Sequence, residues 1–213
     1  MALATIFAGT HLAAACTGIS LTAADGSYVQ ARTIEWAYGK LKSEYVVIPR
    51  GEKLQSYTPS GLNGVTFEAK YGTVGLAVVQ REFIAEGLNE AGLSAGLFFF
   101  PRFGSYKPYA AANNDKTLAD LQVVQWILTQ FSTIDELKSS IANVDIVGLE
   151  KSAVVHWRIG ESSGKQVVME IVDGEVHFYD NTVGVLTNAP GFEWHVEVHY
   201  CGRRRHAQNA MEG

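Results

Sequence analysis

The chain has 213 residues and a mass of 23.2 kDa, the length of one domain or slightly more. Apolar residues make up 47% and charged residues 18%, which is typical of a globular protein and excludes a disordered or collagen-like chain. The net charge of −5 excludes a generally basic nucleic-acid binder, and no apolar run approaches the roughly 20 residues of a membrane-spanning helix.

The first fifteen residues carry no formal charge and end in three alanines before Cys16. Ala13 and Ala15 form an Ala-x-Ala pattern typical of signal-peptide cleavage, which would make Cys16 the first residue of the processed chain. The basic region that usually opens a signal peptide is missing, so an ordinary N-terminal strand or helix with a buried cysteine is the alternative. Cleavage implies a periplasmic or secreted protein, and an uncleaved chain implies a cytoplasmic one.

Strand patterns fill the first half of the chain. Residues 16–24 and 27–36 are predicted to form a hairpin around Asp25-Gly26, because both turn residues accept positive φ. A turn or loop is predicted over 83–91 and a loop over 101–114. Further strands are predicted at 44–48, 65–71, 73–80 and 93–100.

Two helices and a second block of strands follow. Residues 117–131 have a broad apolar face at helical spacing, and Thr133-x-x-Glu136 is a capping box that opens a helix ending near residue 144. Strands are then predicted at 152–159, 165–172, 175–179 and 183–187, with a hairpin turn at Asp173-Gly174. Blocks of strands, helices and strands predict an α+β fold with antiparallel sheets. No phosphate-binding glycine motif is present to indicate a nucleotide cofactor.

The first hairpin carries a candidate nucleophile. If a two-residue turn starts an unbroken ladder, Cys16 lies opposite Glu35, and Ile19 lies opposite Arg32. A bulge is then needed to turn Arg32 and Glu35 toward the same site, because they differ by three residues. The alternative is a strand-edge salt bridge beside a buried free cysteine.

Cleavage before Cys16 would place a thiol and a free α-amine on one residue. The amine has a pKa near ~8 and is partly neutral at neutral pH, so it can accept the thiol proton. Arg32 would stabilise the thiolate, and Glu35 would orient the amine or pair with Arg32. A nucleophile and its base then need no separate histidine.

Four segments in order carry a specific resemblance. They are Ala-Cys-Thr-Gly (15–18), Ala-Arg-Thr-Ile-Glu-Trp (31–36), Gly-Leu-Asn-Glu-Ala-Gly-Leu (87–93) and Val-Leu-Thr-Asn-Ala-Pro (185–190). Together with residues 192–195, they resemble the choloylglycine hydrolase family, the penicillin V acylase and bile salt hydrolase group of the N-terminal nucleophile hydrolases. The resemblance covers residues 16–195.

This resemblance implies a four-layer αββα sandwich and hydrolysis of a linear, non-peptide amide. Cys16 corresponds to the nucleophile, with its own amine as base, and Arg32 to the arginine beside the thiolate. Glu35 stands where many members carry Asp. Asn188 resembles the oxyanion-hole asparagine, with the backbone N–H of Phe98 as the second donor.

The resemblance implies no metal or other cofactor, and a small acyl amide such as penicillin V or a conjugated bile salt as substrate. No nucleic-acid partner is implied, and a homo-oligomer is compatible with the family. Phe98 matches neither residue usual at that position in the two enzyme groups, so the substrate class stays open. An acyl-homoserine lactone acylase is an alternative.

The C-terminal sequence departs from the family. Residues 196–213 are predicted to be a divergent basic tail, which a shifted reading frame would produce, so the resemblance implies a C-terminally truncated domain. A catalytically inactive fragment is therefore a second hypothesis. A zinc site formed by His195, His199, Cys201 and His206 is the remaining alternative, although accidental spacing in the tail explains these residues much better.

Overall fold

The computed structural model describes residues 16–35, 41–150 and 154–198, and all statements on the fold refer to them. Short 3₁₀ turns cover Ala111–Lys116, Asp120–Gln122 and Ile141–Asn143. The two α-helices that lie between the strand blocks are α1 (Val123–Gln130) and α2 (Ile134–Ser140), and residues 192–198 are also helical. The strands are β1 (Thr17–Thr22), β2 (Tyr28–Thr33), β3 (Ser43–Ile48), β4 (Lys53–Gln55), β5 (Thr66–Glu68), β6 (Thr73–Val78), β7 (Ile84–Asn89), β8 (Ser94–Phe99), β9 (Thr117–Ala119), β10 (Asp145–Val147), β11 (Val155–Gly160), β12 (Gln166–Val172), β13 (Glu175–Asp180) and β14 (Val185–Thr187).

Two antiparallel sheets dominate the fold. The larger has seven strands in the order β13-β12-β11-β8-β7-β6-β3, and the smaller has three in the order β14-β1-β2. Two short ribbons, antiparallel β4-β5 and parallel β9-β10, lie outside these sheets. The predicted α+β class with antiparallel sheets is therefore confirmed.

The larger sheet buries one face along its length and only part of the other, since Tyr45 and Val47 of β3, Val74 of β6 and Leu88 of β7 are exposed. On one face, residues such as Trp157, Ile159 and Met169 pack with α1 and α2 in the main apolar core. The opposite face meets the small sheet, and a second cluster fills this space: Cys16, Phe98, Val168, Leu186 and Phe192. Because side chains alternate along a strand, β11 presents His156 and Arg158 to the space between the sheets.

The first hairpin forms, but its predicted register is wrong by one residue. Ala23 N–H donates to Ser27 O at 2.8 Å, so the loop holds three residues rather than two. Gly26 takes φ +84°, the left-handed position that such loops require, and Asp25 Oδ1 accepts the Ser27 N–H at 2.9 Å. Gly18 therefore pairs with Arg32, where the two-residue turn predicted Ile19.

Several local predictions also change. Residues 83–91 were expected to form a turn or loop, but they contain β7 in the middle of the large sheet. The helix predicted from residue 117 begins only at Val123, because residues 117–119 pair with β10 as a parallel ribbon. The predicted turn at Asp173-Gly174 is confirmed, with both residues at positive φ.

The capping box is confirmed at the start of α2. Thr133 Oγ1 accepts the Glu136 N–H at 3.2 Å, and Glu136 Oε2 accepts the Ser132 N–H at 2.7 Å. The Thr133 side chain thereby occupies a backbone donor of the first turn that has no partner within the helix, and Glu136 holds the N–H of the residue before the N-cap.

The structure tests few of the predictions made for the two ends of the chain. Residues 1–15, with the expected cleavage site, lie outside the described residues, and so do residues 199–213 with His199, Cys201 and His206. The helix over 192–198 crosses the predicted start of the tail at residue 196. Among the described residues, no helix has the length and hydrophobicity needed to cross a membrane.

The burial of Asp120 predicts that the stability of the protein depends on pH. Burial raises the pKa of Asp120 to about 7, although its carboxylate accepts N–H bonds from Leu121 and Leu149. The native state thus holds this proton more tightly than the unfolded chain, where an aspartate titrates near ~3.9. The contribution of Asp120 to stability is therefore full below about pH 4 and is lost as the pH rises to about 7.

We expect Asp120→Asn to remove this loss, so the variant gains stability over the wild type as the pH rises. The gain should be about 1.4 kcal/mol for each pH unit within that window. Urea unfolding of both proteins at about pH 4.5 and about pH 8 measures it. A stability difference that does not change with pH would contradict the buried, protonated carboxyl.

Candidate active site

The three-residue turn puts Cys16 and Arg32 on the same face of the small sheet. Cys16 lies two residues before Gly18, and Arg32 pairs with Gly18, so both side chains point between the sheets. The bulge predicted to turn Arg32 and Glu35 toward one site does not form, because β1 and β2 pair without interruption. Cys16 is a free cysteine that is 8% exposed. The Cys16 sulfur lies close enough to the Arg32 guanidinium to raise the pKa of Arg32, against the effect of burial.

Arg32 is held by β7 and β8, two central strands of the large sheet. Its Nη1 donates to Leu97 O at 2.5 Å and to Ala85 O at 3.2 Å, and its guanidinium lies 4.2 Å from the centre of the Phe98 ring. Burial lowers the pKa of Arg32 from its ordinary value, and the Glu86 carboxylate and the Cys16 sulfur oppose this shift. The charge beside the sulfur is therefore fixed in place.

A second arginine shares the carboxylate that pairs with Arg32. Glu86 Oε2 lies 3.5 Å from Arg32 Nη1, and Glu86 Oε1 accepts Arg158 Nη2 at 3.0 Å. Arg158 is fully buried and also donates from Nη1 to Ile19 O of β1 at 3.1 Å. Burial raises the pKa of Glu86, and the two guanidinium groups oppose this shift. The sequence predictions did not include Glu86 or Arg158.

Gly96 leaves the space that Glu86 occupies. A Cβ at this position would lie within van der Waals overlap of the Glu86 carboxylate, whose Cδ would be only 2.7 Å away. A side chain at Gly18 would meet Phe98 and Arg158 at 2.6 and 2.7 Å. The charged network therefore depends on two residues without side chains.

We expect Gly96→Ala to displace Glu86 and to reduce the free energy of unfolding by about 1–3 kcal/mol, the usual cost of overpacking. Gly72→Ala is the matched control, because its new Cβ would meet only the flexible end of Glu90, at 3.3 Å. Chemical denaturation compares the two variants. Equal losses would mean that Glu86 is not held tightly against Gly96.

Asn188 lies beside Cys16. The β1-β14 ladder pairs Thr17 with Thr187, and the next register position brings Cys16 opposite Asn188. Asn188 Oδ1 accepts the Phe99 N–H at 3.1 Å, which fixes the orientation of the amide. The adjacent Ala189 N–H donates to Phe99 O at 3.2 Å.

The backbone amide that meets Asn188 is that of Phe99, not Phe98. Phe98 pairs with His156 in the β8-β11 ladder, and Phe100 N–H donates to Val154 O in the same ladder. Because alternate N–H groups of a strand point to the same side, the Phe98 N–H faces β11. The sequence-based assignment of Phe98 as the second oxyanion donor therefore does not fit this geometry, although the Phe98 ring does contact Arg32.

Glu35 lies just beyond β2 and is exposed. The carboxylate beside Arg32 in the space between the sheets is that of Glu86, which occupies one of the two roles considered for Glu35. The other role, orientation of the α-amine of Cys16, stays a prediction.

A buried histidine and glutamate lie behind Asn188. His156 Nδ1 is 2.9 Å from Glu170 Oε1, and His156 Nε2 is 3.0 Å from Thr187 O. Neither side chain is more than 3% exposed.

The zinc alternative has no support in the part of the chain that the structure describes. There, no group of three or more His, Cys, Asp or Glu side chains is placed to hold a metal ion. Of the four residues considered, only His195 is described, and its Nε2 lies 3.2 Å from Pro190 O.

Comparison with known proteins identifies similar chains. The sequence model of the linear amide C–N hydrolases of the choloylglycine hydrolase family matches residues 16–211. A bile salt hydrolase/transferase of Clostridium perfringens is 29% identical over 188 residues, which cover 85% of this chain and 55% of that protein. The penicillin V acylase of Pectobacterium atrosepticum is 25% identical over 207 residues, covering 91% and 54%.

Solved structures agree with the sequence matches. A variant of the conjugated bile acid hydrolase from Clostridium perfringens superposes with a TM-score of 0.72 at 28% identity, over 85% of this chain and 56% of that one. The penicillin V acylase from Agrobacterium tumefaciens, with a TM-score of 0.74 and 24% identity over 89% and 57%, has the same fold. The chain thus spans little more than half the length of the relatives it matches.

Proposed function

Because the chain belongs to the choloylglycine hydrolase family of linear amide C–N hydrolases, we propose that it cleaves a linear, non-peptide amide with Cys16 as the nucleophile. The observation that carries this proposal is the contact between the Cys16 sulfur and the buried guanidinium of Arg32, with Asn188 at the adjacent register position. A fixed cation beside sulfur favours the reactive thiolate.

The proposal includes removal of residues 1–15, which would free the α-amine of Cys16. The amine takes the thiol proton, and the sulfur attacks the carbonyl carbon of the amide. The carbonyl oxygen gains negative charge in the tetrahedral intermediate, and Asn188 Nδ2 donates a hydrogen bond to it. The C–N bond then breaks, and the α-ammonium returns its proton to the leaving amine.

Water completes the reaction. The thioester between Cys16 and the acyl group is attacked by a water molecule that gives its proton to the α-amine, and the carboxylic acid leaves. Arg32 keeps its charge throughout, so it stabilises the sulfur anion both before attack and when the thioester breaks.

The relatives suggest which amides to test. The names of the similar proteins specify bile salts and penicillin V, and the acyl-homoserine lactones are a third class of linear amide. Phe98 does not indicate which of these three substrate classes is cleaved, because its ring is fully buried against Arg32 and His156.

The experiment is a substrate screen with the protein that begins at Cys16. Penicillin V, glycine-conjugated bile salts and an acyl-homoserine lactone are each incubated with it, and the released amine is quantified. We expect turnover of one class, with loss of turnover after alkylation of Cys16 by iodoacetamide. No release from any of the three by a folded, alkylatable protein would favour the inactive-fragment hypothesis.

A further inference from the structure

We propose that the buried pair His156–Glu170 is a positioning device that fixes Asn188 for its role in the proposed hydrolysis. The pair lies on β11 and β12, on the face of the large sheet that meets the small sheet. In the part of the chain that the structure describes, the hydrogen bonds of His156 and Glu170 go to each other, to Thr187 and to Phe192, so the pair acts through the segment that carries Asn188. The effect of the pair on catalysis rests on the proposed function, whereas its contacts with the segment around Asn188 do not.

The Nε2 atom of His156 must be a hydrogen-bond donor. A carbonyl oxygen can only accept, so the ring must donate from Nε2 to Thr187 O. The 2.9 Å contact between Nδ1 and Glu170 Oε1 then requires a second proton between these two atoms. The pair therefore holds two protons, and both of its outer contacts reach the segment 187–192.

Glu170 holds the far end of that segment. Its Oε1 accepts the Phe192 N–H at 2.9 Å, so one carboxylate oxygen serves both His156 and Phe192. Gly191 passes close to the same carboxylate, since a Cβ there would lie 3.3 Å from Oε2. Thr187 and Phe192 are thus tied to one buried pair, with Asn188 between them.

Aromatic rings fix the plane of the imidazole. The Phe100 ring stacks on His156 at 4.3 Å with an angle of 6°, and the Phe98 ring meets it edge-on at 6.3 Å. A ring that cannot turn directs its Nε2–H to one place, the Thr187 carbonyl. The Asn188 side chain then reaches the Phe99 N–H, which completes the connection to β8.

Three variants separate the parts of this device. Glu170→Gln cannot keep both contacts at the position of Oε1. An amide nitrogen there donates to Nδ1 of a neutral His156 but cannot accept the Phe192 N–H, and an amide oxygen there accepts the Phe192 N–H but faces the lone pair of Nδ1. His156→Phe removes the donor but keeps a ring against Phe100. His156→Gln places an amide near the position of Nε2 and keeps a donor for Thr187.

The first readout is amide hydrogen exchange at Phe99, measured by NMR on the full chain. This amide reports directly on Asn188, because Asn188 Oδ1 accepts its proton. We expect exchange at Phe99 to accelerate about tenfold in Glu170→Gln and His156→Phe, the value of one lost hydrogen bond, and to stay near wild type in His156→Gln. Amides of α1 should keep their wild-type exchange rates in all three variants. Thr129→Val is the buried polar control, because the hydroxyl of Thr129 donates only within α1, so exchange at Phe99 should stay at its wild-type rate in this variant.

The second readout is hydrolysis of the substrate found by the screen. The first two variants should lower kcat about tenfold with little change in KM, while alkylation of Cys16 by iodoacetamide keeps its wild-type rate, because alkylation forms no oxyanion. His156→Gln should restore most of kcat.

The outcomes distinguish this inference from the proposed function. Wild-type protein that hydrolyses nothing contradicts the proposed function, yet the exchange rate of Phe99 still decides whether the pair holds Asn188. Unchanged exchange at Phe99 in both Glu170→Gln and His156→Phe overturns the inference. Equal acceleration at Phe99 and in α1 also overturns it, because the pair would then stabilise the whole fold rather than position Asn188.

Discussion

Cys16→Ala is expected to abolish amide hydrolysis completely, because no other cysteine or serine in the described residues is paired with a buried arginine in the space between the sheets. Cys16→Ser should also lose nearly all activity. A serine hydroxyl holds its proton far more tightly than a thiol, and the Arg32 guanidinium stabilises the small amount of alkoxide too little to compensate.

The measurement is amine release from the substrate, with protein folding monitored by circular dichroism. Cys16 packs with Phe98, Leu186 and Phe192, so alanine leaves a small cavity, and the stability loss should be about 1–2 kcal/mol. Val168→Ala is the matched control, because it opens a cavity in the same cluster and keeps the Cys16 thiol. Residual turnover by Cys16→Ala above the rate without enzyme would refute the assignment of the nucleophile.

Asn188→Ala is expected to reduce kcat by about 10²–10³, the typical effect of removing one oxyanion donor. KM should change little, because the donor acts on charge that forms only in the transition state. The alkylation rate of Cys16 should stay at its wild-type value, since Arg32 and its contacts with Leu97 and Ala85 are untouched.

The reason for the size of this effect is the position of the side chain. Asn188 Oδ1 is engaged by the Phe99 N–H, so the amide presents its donor end in one orientation. Asn63→Ala, in the exposed loop before β5, is the surface control and should keep full activity. Equal kcat values for Asn188→Ala and the wild type would exclude Asn188 from the oxyanion hole.

The local signals in the sequence predict most strands, both helices and the residues nearest Cys16. Cys16, Arg32 and Asn188 meet as the motifs imply. The predicted register of the first hairpin was wrong because Asp25-Gly26 fits both a two-residue and a three-residue loop. In the structure, the Ser27 N–H donates to the Asp25 side chain, which favours the three-residue loop. That single residue of register decides which face Arg32 occupies.

The supporting charges could not be predicted, because they depend on pairings between strands far apart in the chain. Glu86 lies in a segment expected to form a turn or loop, and only its position beside β8 brings it to Arg158. A signal was present in β11, where His156 and Arg158 alternate with apolar residues. Two ionisable residues on one face of a strand that is otherwise apolar indicate a buried polar site rather than a solvent-facing one.

The same limit applies to Phe98 and Phe99. Three consecutive phenylalanines give no indication of which N–H faces the neighbouring strand and which faces Asn188. The answer depends on the pairing of β8 with β11 and on where β8 separates from β7. The pairing of β8 with its neighbours therefore determines which N–H faces Asn188, and the amino-acid composition of the segment does not.

The most direct test of the account is the intact mass of the protein that carries the activity. Active protein is trapped with iodoacetamide, and the mass and the N-terminal peptide are read by mass spectrometry. We predict that the active chain begins at Cys16, carries one alkyl group on that residue and has a free α-amine. An active species that still begins at Met1 would contradict it, because Cys16 would then lack the amine that serves as its base.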